Sequence, residues 1–96
     1  MNEIKLKGTL IENEGKRETL GGYEVFTGHF MHRATVVEAG EERQLEFEFL
    51  ALAYGNVATA LNKVKLGTEL TLSGFVAPKT RRSSVLIVHI TEFIRS

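Results

Sequence analysis

Residues 55–67 read "GNVATALNKVKLG", and their periodicity differs from everything around them. Val57, Leu61 and Val64 fall at i, i+4 and i+7, one stripe of a helix, with Asn56 placed to cap its start and Gly67 beyond its end. The spacing predicts one short helix. The segments on either side predict strands.

Upstream, Ile4, Leu6 and Leu10 alternate with Lys5, Lys7 and Thr9, the period of a half-buried strand. Gly8 lies in phase with the apolar set, where a glycine marks a bulge or a barrel corner. Residues 13–22, "NEGKRETLGG", collect turn formers and charges and read as a loop. From Tyr23 to Val37 aromatic and β-branched residues return, with Phe26, Gly28 and Phe30 on one face and Val25, Thr27, His29, Met31 and Arg33 on the other. The stretch "EAGEE" is the next turn. Leu45, Phe47 and Phe49 then alternate with Glu46 and Glu48 before the chain becomes apolar on both sides at "FLALA". On this phase Leu45, Phe47 and Phe49 are core residues of their strand, and most of Phe26, Phe30, Phe47 and Phe49 are packing residues.

Downstream of the helix, Leu70, Leu72, Gly74 and Val76 are in phase, and "SVLIVHITEFI" forms a last β-rich run. The order is three strands, a helix and two strands, in one domain spanning residues 1–96. That order predicts an all-β fold, a five-stranded Greek-key OB-fold barrel with a short helix between strands 3 and 4. Such barrels bind oligonucleotides and oligosaccharides on strands 2 and 3 and on the loops joining strands 1–2 and 4–5.

Charge falls unevenly on this frame. The chain is formally neutral, yet residues 1–48 hold six Lys/Arg against ten Glu, while residues 49–96 hold six against Glu69 and Glu92. The halves are therefore at −4 and +4, and a polyanion could be held by the basic part alone. Lys79, Arg81 and Arg82 fall in the 4–5 loop, and Lys16 and Arg17 in the 1–2 loop, so cations flank the face that would carry a bound strand.

Other chemistry is thinly represented. The chain has no cysteine, which excludes a disulfide scaffold and Cys-ligated metal sites. No apolar run approaches the ~20 residues of a membrane span, and no apolar leader opens the chain, so a cytoplasmic protein is expected. His29, His32 and His89 lack the spacing of a metal site. No Ser/His/Asp set or phosphate-binding glycine loop is present, and a non-enzyme without cofactor or metal is expected.

The segments "NEIKLKGTL" (2–10), "HRATVVEAGEERQ" (32–44) and "LGTELTLSGFVAPKTRRS" (66–83) resemble the primosomal replication protein N (PriB) family. The resemblance implies a homodimer that binds single-stranded DNA and the PriA helicase, and in some bacteria DnaT, during replication restart. It also implies that Lys16, Arg17, Arg33, Lys79, Arg81 and Arg82 occupy DNA-contacting positions. Where the family's best-studied form places a stacking tryptophan on strand 3, this chain has Glu46.

Each expectation has a structural alternative. Loop-tip cations are commonly just solvated, and Arg33 could instead pair with Glu46 or Glu48 across the hairpin. A protein adaptor with weak DNA binding is the alternative function, favoured by the ten glutamates of the first half. A general single-stranded DNA-binding protein would carry a long acidic tail, whereas this chain ends "HITEFIRS" at its last strand. Phe75, out of phase with Leu72 and Gly74, is expected on the outer face, toward DNA or a partner chain. Apolar residues on both faces of the last strand, Val85 and Ile87 against Leu86, Val88 and Ile90, also favour a homodimer.

Overall fold

A computed structural model describes residues 1–15 and 21–96 in full and, between them, the backbone of Arg17 and Glu18. Five strands build the frame: β1 Ile4–Asn13, β2 Glu24–Glu38, β3 Glu41–Tyr54, β4 Glu69–Pro78 and β5 Leu86–Arg95, with helix α1 Asn56–Leu61 between β3 and β4. A two-residue strand segment, Arg17–Glu18, also pairs with β2 at Val25 and Glu24.

The strands close into a barrel. β1 pairs with β4 from Ile4 to Thr9, then with β2 from Thr9 to Asn13, so it changes partners just after the glycine at position 8. β3 follows β2 as a hairpin, β5 pairs antiparallel with β4, and a short parallel pairing, Ala51 with Val88 and Leu52 with His89, joins β3 to β5. This is the five-stranded OB-fold barrel, with the helix where the periodicity predicted it.

The alternation explains the core. Leu10, Phe26, Phe30, Ala51, Ala53, Leu70, Leu72, Val88 and Ile90 point inward, and Ala58 and Leu61 of α1 complete the cluster. Fully burying a Phe or Leu side chain contributes roughly 1.5–3 kcal/mol, so Phe26 and Phe30 anchor the barrel. Val57 and Val64 pack against the same cluster, as the helical stripe requires.

The helix is shorter than its sequence pattern. Gly55, not Asn56, holds the N-cap position, and no side chain caps it. At the other end Lys63 and Val64 donate to the carbonyls of Ala60 and Leu61, three residues back, which tightens the last turn and stops the helix well before Gly67. Polar side chains hold it in place instead: Thr59 Oγ1 and Asn62 Nδ2 donate to the Glu24 carboxylate at 3.0 and 2.7 Å, and Asn13 Nδ2 donates to Asn62 Oδ1 at 3.1 Å.

The β2–β3 hairpin outruns the barrel. β1 leaves β2 at Met31, so residues 32–38 pair only with residues 41–47 of β3. The inner phase continues along this overhang as His32, Ala34, Leu45 and Phe47, but no barrel lies beneath it. Phe47 is therefore 43 % exposed and Leu45 36 %, which corrects the expectation that both are core residues. Phe49, level with Phe30 and stacked on it at 5.5 Å, remains half-buried. Ile87 is also corrected: it is 2 % exposed and covered by its own chain, so the exposed apolar residues of this segment are Val85, just before β5, and Leu86 and Ile94 within it.

Candidate nucleic-acid interface

The loop between β4 and β5 is a folded turn. The Lys79 N–H donates to Val85 O at 2.8 Å and closes its base, and the Ser83 N–H donates to Thr80 O at 3.1 Å, which places Arg81 and Arg82 at the two central positions of a tight turn. Ser83 Oγ accepts from the Val85 N–H at 2.9 Å and fixes the return. Lys79, Arg81 and Arg82 are all exposed, and among the described residues no carboxylate pairs with them. Cations held at a turn tip without internal partners are available to an external anion.

The outer face of the sheet changes character along β3. Toward the hairpin tip it is acidic, with Glu42, Glu46 and Glu48 on the even phase. Toward α1 the same phase reads Leu50, Leu52 and Tyr54, flanked by His29 and Thr27 of β2. Next to it His89 of β5 sits opposite Leu52, and Phe75 of β4 sits opposite His89. The rings of Phe75 and His89 stack at 4.8 Å and 11°, and Tyr54 lies 6.2 Å from His89.

Arg33 stands at the acidic end. Its Nε donates to Glu46 Oε2 at 2.9 Å, so its charge is already matched across the hairpin. His29 Nε2 donates to Glu14 Oε2 at 2.9 Å at the entrance to the 1–2 loop. Lys16 lies outside the described residues, as does the side chain of Arg17. Among the described residues no group of three or more His, Asp or Glu side chains forms a metal site, and no helix is long and apolar enough to cross a membrane.

A model described as "Another single-strand binding protein family" matches residues 2–92. The Replication restart protein PriB of Bordetella pertussis is 33 % identical over 92 residues, covering 96 % of this chain and 86 % of that one. The PriB of Nitrosomonas europaea is 30 % identical over 91 residues, covering 95 % and 84 %. The chain belongs to the PriB family of replication restart proteins. The solved structure of the Ralstonia solanacearum PriB superposes with a TM-score of 0.89 at 32 % identity, over 99 % of this chain and 97 % of that chain.

Within this PriB-family barrel, the loop cations and the outer face lie on neighbouring strands, while Arg33 is set apart with Glu46. Sequence reasoning placed Lys79, Arg81 and Arg82 in the exposed β4–β5 loop and Phe75 on the outer face, and it offered the Arg33–Glu46 pair as an alternative. It did not bring Tyr54 and His89 together. Each is an isolated polar aromatic in its own strand, and only the parallel β3–β5 pairing brings them together.

Proposed function

We propose that this chain binds single-stranded DNA with little sequence preference as an accessory protein of replication restart. The observation that carries the reading is the β4–β5 turn: three cations with no carboxylate partner among the described residues, at the edge of an apolar and aromatic sheet face. Phosphate neutralisation by such cations is independent of sequence and gives a log–log salt slope near −0.7 per phosphate on a single strand. Lys16 and Arg17 of the 1–2 loop belong to the same proposal. The names of the relatives support the restart context.

The reading includes a homodimer. From Ile4 to Gly8, β1 has β4 on one edge, while on its other edge the described contact is His32 Nδ1 donating to Lys7 O at 2.6 Å. An open strand edge beside the exposed Leu45 and Phe47 fits a second copy of the chain. The protein partners in this reading are the PriA helicase and, in some settings, DnaT, with the protein acting in the cytoplasm.

A protein adaptor with weak DNA binding is the second reading, favoured by Glu41, Glu42 and Glu48, which leave the overhang negative after Glu46 and Glu38 are paired with Arg33 and Arg43. Fluorescence anisotropy with labelled oligo-dT at two salt concentrations separates the two. Micromolar or tighter binding that falls steeply with salt supports the first. No binding at low salt, with retained capture of the helicase, supports the second.

A further inference from the structure

The outer sheet face offers two routes from the basic turn. One follows β3 over Glu48 and Glu46, toward the position where the family resemblance places a stacking residue. The other crosses β5 and β4 at Leu52, His89 and Phe75. We infer that the second route is the nucleobase path, and that the row Tyr54–His89–Phe75 is the surface on which a base stacks. This inference rests on the reading of the chain as a single-stranded DNA binder.

Three observations carry it. The first is ring geometry. The Phe75 and His89 rings are nearly parallel, 11° apart with centroids at 4.8 Å, so they already form a short stack that a base can extend at a free ring face. Tyr54 extends the row on the far side of His89 at 6.2 Å and 32°. Tyr54 is 49 % exposed and Phe75 37 %, a cluster of flat apolar surface left in water that no part of the described chain covers.

The second is the shape beside the row. A cavity of about 280 Å³ opens there, lined by Leu52, Tyr54, Val57, Phe75, His89 and Thr91. It falls just below the range of pockets that hold drug-sized ligands, a fit for one flat ring with its sugar outside. Its lining contains no carboxylate, in contrast to the Glu46 and Glu48 end of the same sheet. A base entering this cavity meets no carboxylate in its lining, whereas one laid along β3 passes Glu46, paired with Arg33, and Glu48, which has no such partner among the described residues.

The third is register. β5 carries one extra residue, Thr91, opposite the Ser73–Gly74 step of β4, and this bulge sets Phe75 directly across from His89. Only glycine permits it: a Cβ at Gly74 would lie 1.8 Å from His89 O. From Phe75 the strand runs through Val76, Ala77 and Pro78 into Lys79, a distance of about 13 Å at the rise of a β-strand. The ring row and the phosphate-binding turn are thus two ends of one β-hairpin, built to hold a base and its neighbouring phosphates in fixed relation.

The experiment compares two ligands of equal length, oligo-dT and an abasic oligonucleotide that keeps every phosphate but has no bases. Wild-type protein is expected to prefer oligo-dT by about five- to 150-fold, the range of one stacked base. Phe75→Ala and His89→Ala are expected to lose that preference while keeping the salt slope, and Phe75→Leu, which keeps an apolar side chain, serves where alanine disturbs the fold. Lys79→Ala/Arg81→Ala/Arg82→Ala should weaken both ligands equally. The inference is overturned if Phe75→Leu and His89→Ala retain the full preference for bases, or if Glu46→Gln alone tightens oligo-dT several-fold. Wild-type protein that binds the two ligands equally well overturns the stacking surface but leaves phosphate binding standing. Failure to bind either ligand at low salt overturns both.

Discussion

Arg33 and Glu46 face each other across the β2–β3 hairpin, with Arg33 Nε donating to Glu46 Oε2 at 2.9 Å and both side chains more than half exposed. The pair occupies directly opposite register positions. An arginine that the family resemblance implies as a DNA contact is therefore matched by a carboxylate within its own sheet. Cross-strand pairs of this kind contribute roughly 0.2–1 kcal/mol, and exposure places this one toward the low end.

Arg33→Ala is accordingly expected to change stability by less than about 1 kcal/mol and to lower oligo-dT affinity by about twofold at most, less than Arg81→Ala does. Urea unfolding and anisotropy on the same samples check both. A loss from Arg33→Ala equal to that from Arg81→Ala would show that the Glu46 contact yields to phosphate.

The β4–β5 turn predicts a contrasting response. Lys79→Ala/Arg81→Ala/Arg82→Ala together should leave stability within about 0.5 kcal/mol, since exposed substitutions away from packing rarely do more. The loop hydrogen bonds run through the backbone and Ser83, so the turn itself survives the change. DNA affinity should fall by at least tenfold at low salt and the salt slope should shallow by up to about two, three phosphates at ~0.7 each. An unchanged slope would mean that these cations are merely solvated.

The hairpin tip carries a correctable strain. Ala39 sits at φ 53° and Gly40 at φ 78°, the pair of positive angles required by a two-residue turn that matches strand twist. A non-glycine residue in the left-handed region costs roughly 1–2 kcal/mol, and asparagine tolerates it best. Ala39→Asn should therefore raise stability by up to about 1 kcal/mol with no effect on DNA binding. A thermal melt at or below that of the parent would contradict it.

Strand alternation made the barrel readable in the sequence, and the one segment of helical period fixed the order of its elements. Alternation reports which residues share a face and not what lies beneath them. Leu45 and Phe47 carry the same pattern as Phe49, and nothing local records that β1 turns toward β4 after Thr9 and leaves them uncovered. The basic turn was legible because its three cations fall within four residues, 79–82. The aromatic row was not, since Tyr54 and His89 meet through a parallel pairing of only two residue pairs between strands separated by the helix and β4.

Gly74→Ala tests the bulge that aims Phe75. The new methyl would press on the His89 carbonyl oxygen at 1.8 Å, a backbone atom, so β4 and β5 must shift apart to admit it. A loss of about 2–4 kcal/mol is expected, read by urea unfolding. A change under about 1 kcal/mol would mean that β5 shifts easily at Thr91.

The overhang provides the last prediction. Leu45 and Phe47 lie on its inner face, near the β1 edge that His32 reaches through Lys7 O, and a second copy pairing along Ile4 to Gly8 would cover both. In the isolated chain Phe47 contacts His32 at 5.0 Å and Phe49 at 6.1 Å but is 43 % exposed, so Phe47→Ser should cost the monomer little, about 1 kcal/mol. In a dimer the same residue is buried twice by symmetry, once in each copy, and its loss counts double. Sedimentation of the parent chain at micromolar concentration is expected to give a species of twice the chain mass. Phe47→Ser should shift it toward one chain mass while preserving the far-ultraviolet spectrum of the barrel. If the parent sediments as a single chain, the overhang is not a self-association surface. If it sediments as a dimer that Phe47→Ser leaves intact, the interface lies elsewhere, and the exposed Val85 and Leu86 of the β4–β5 hairpin become the next surface to change.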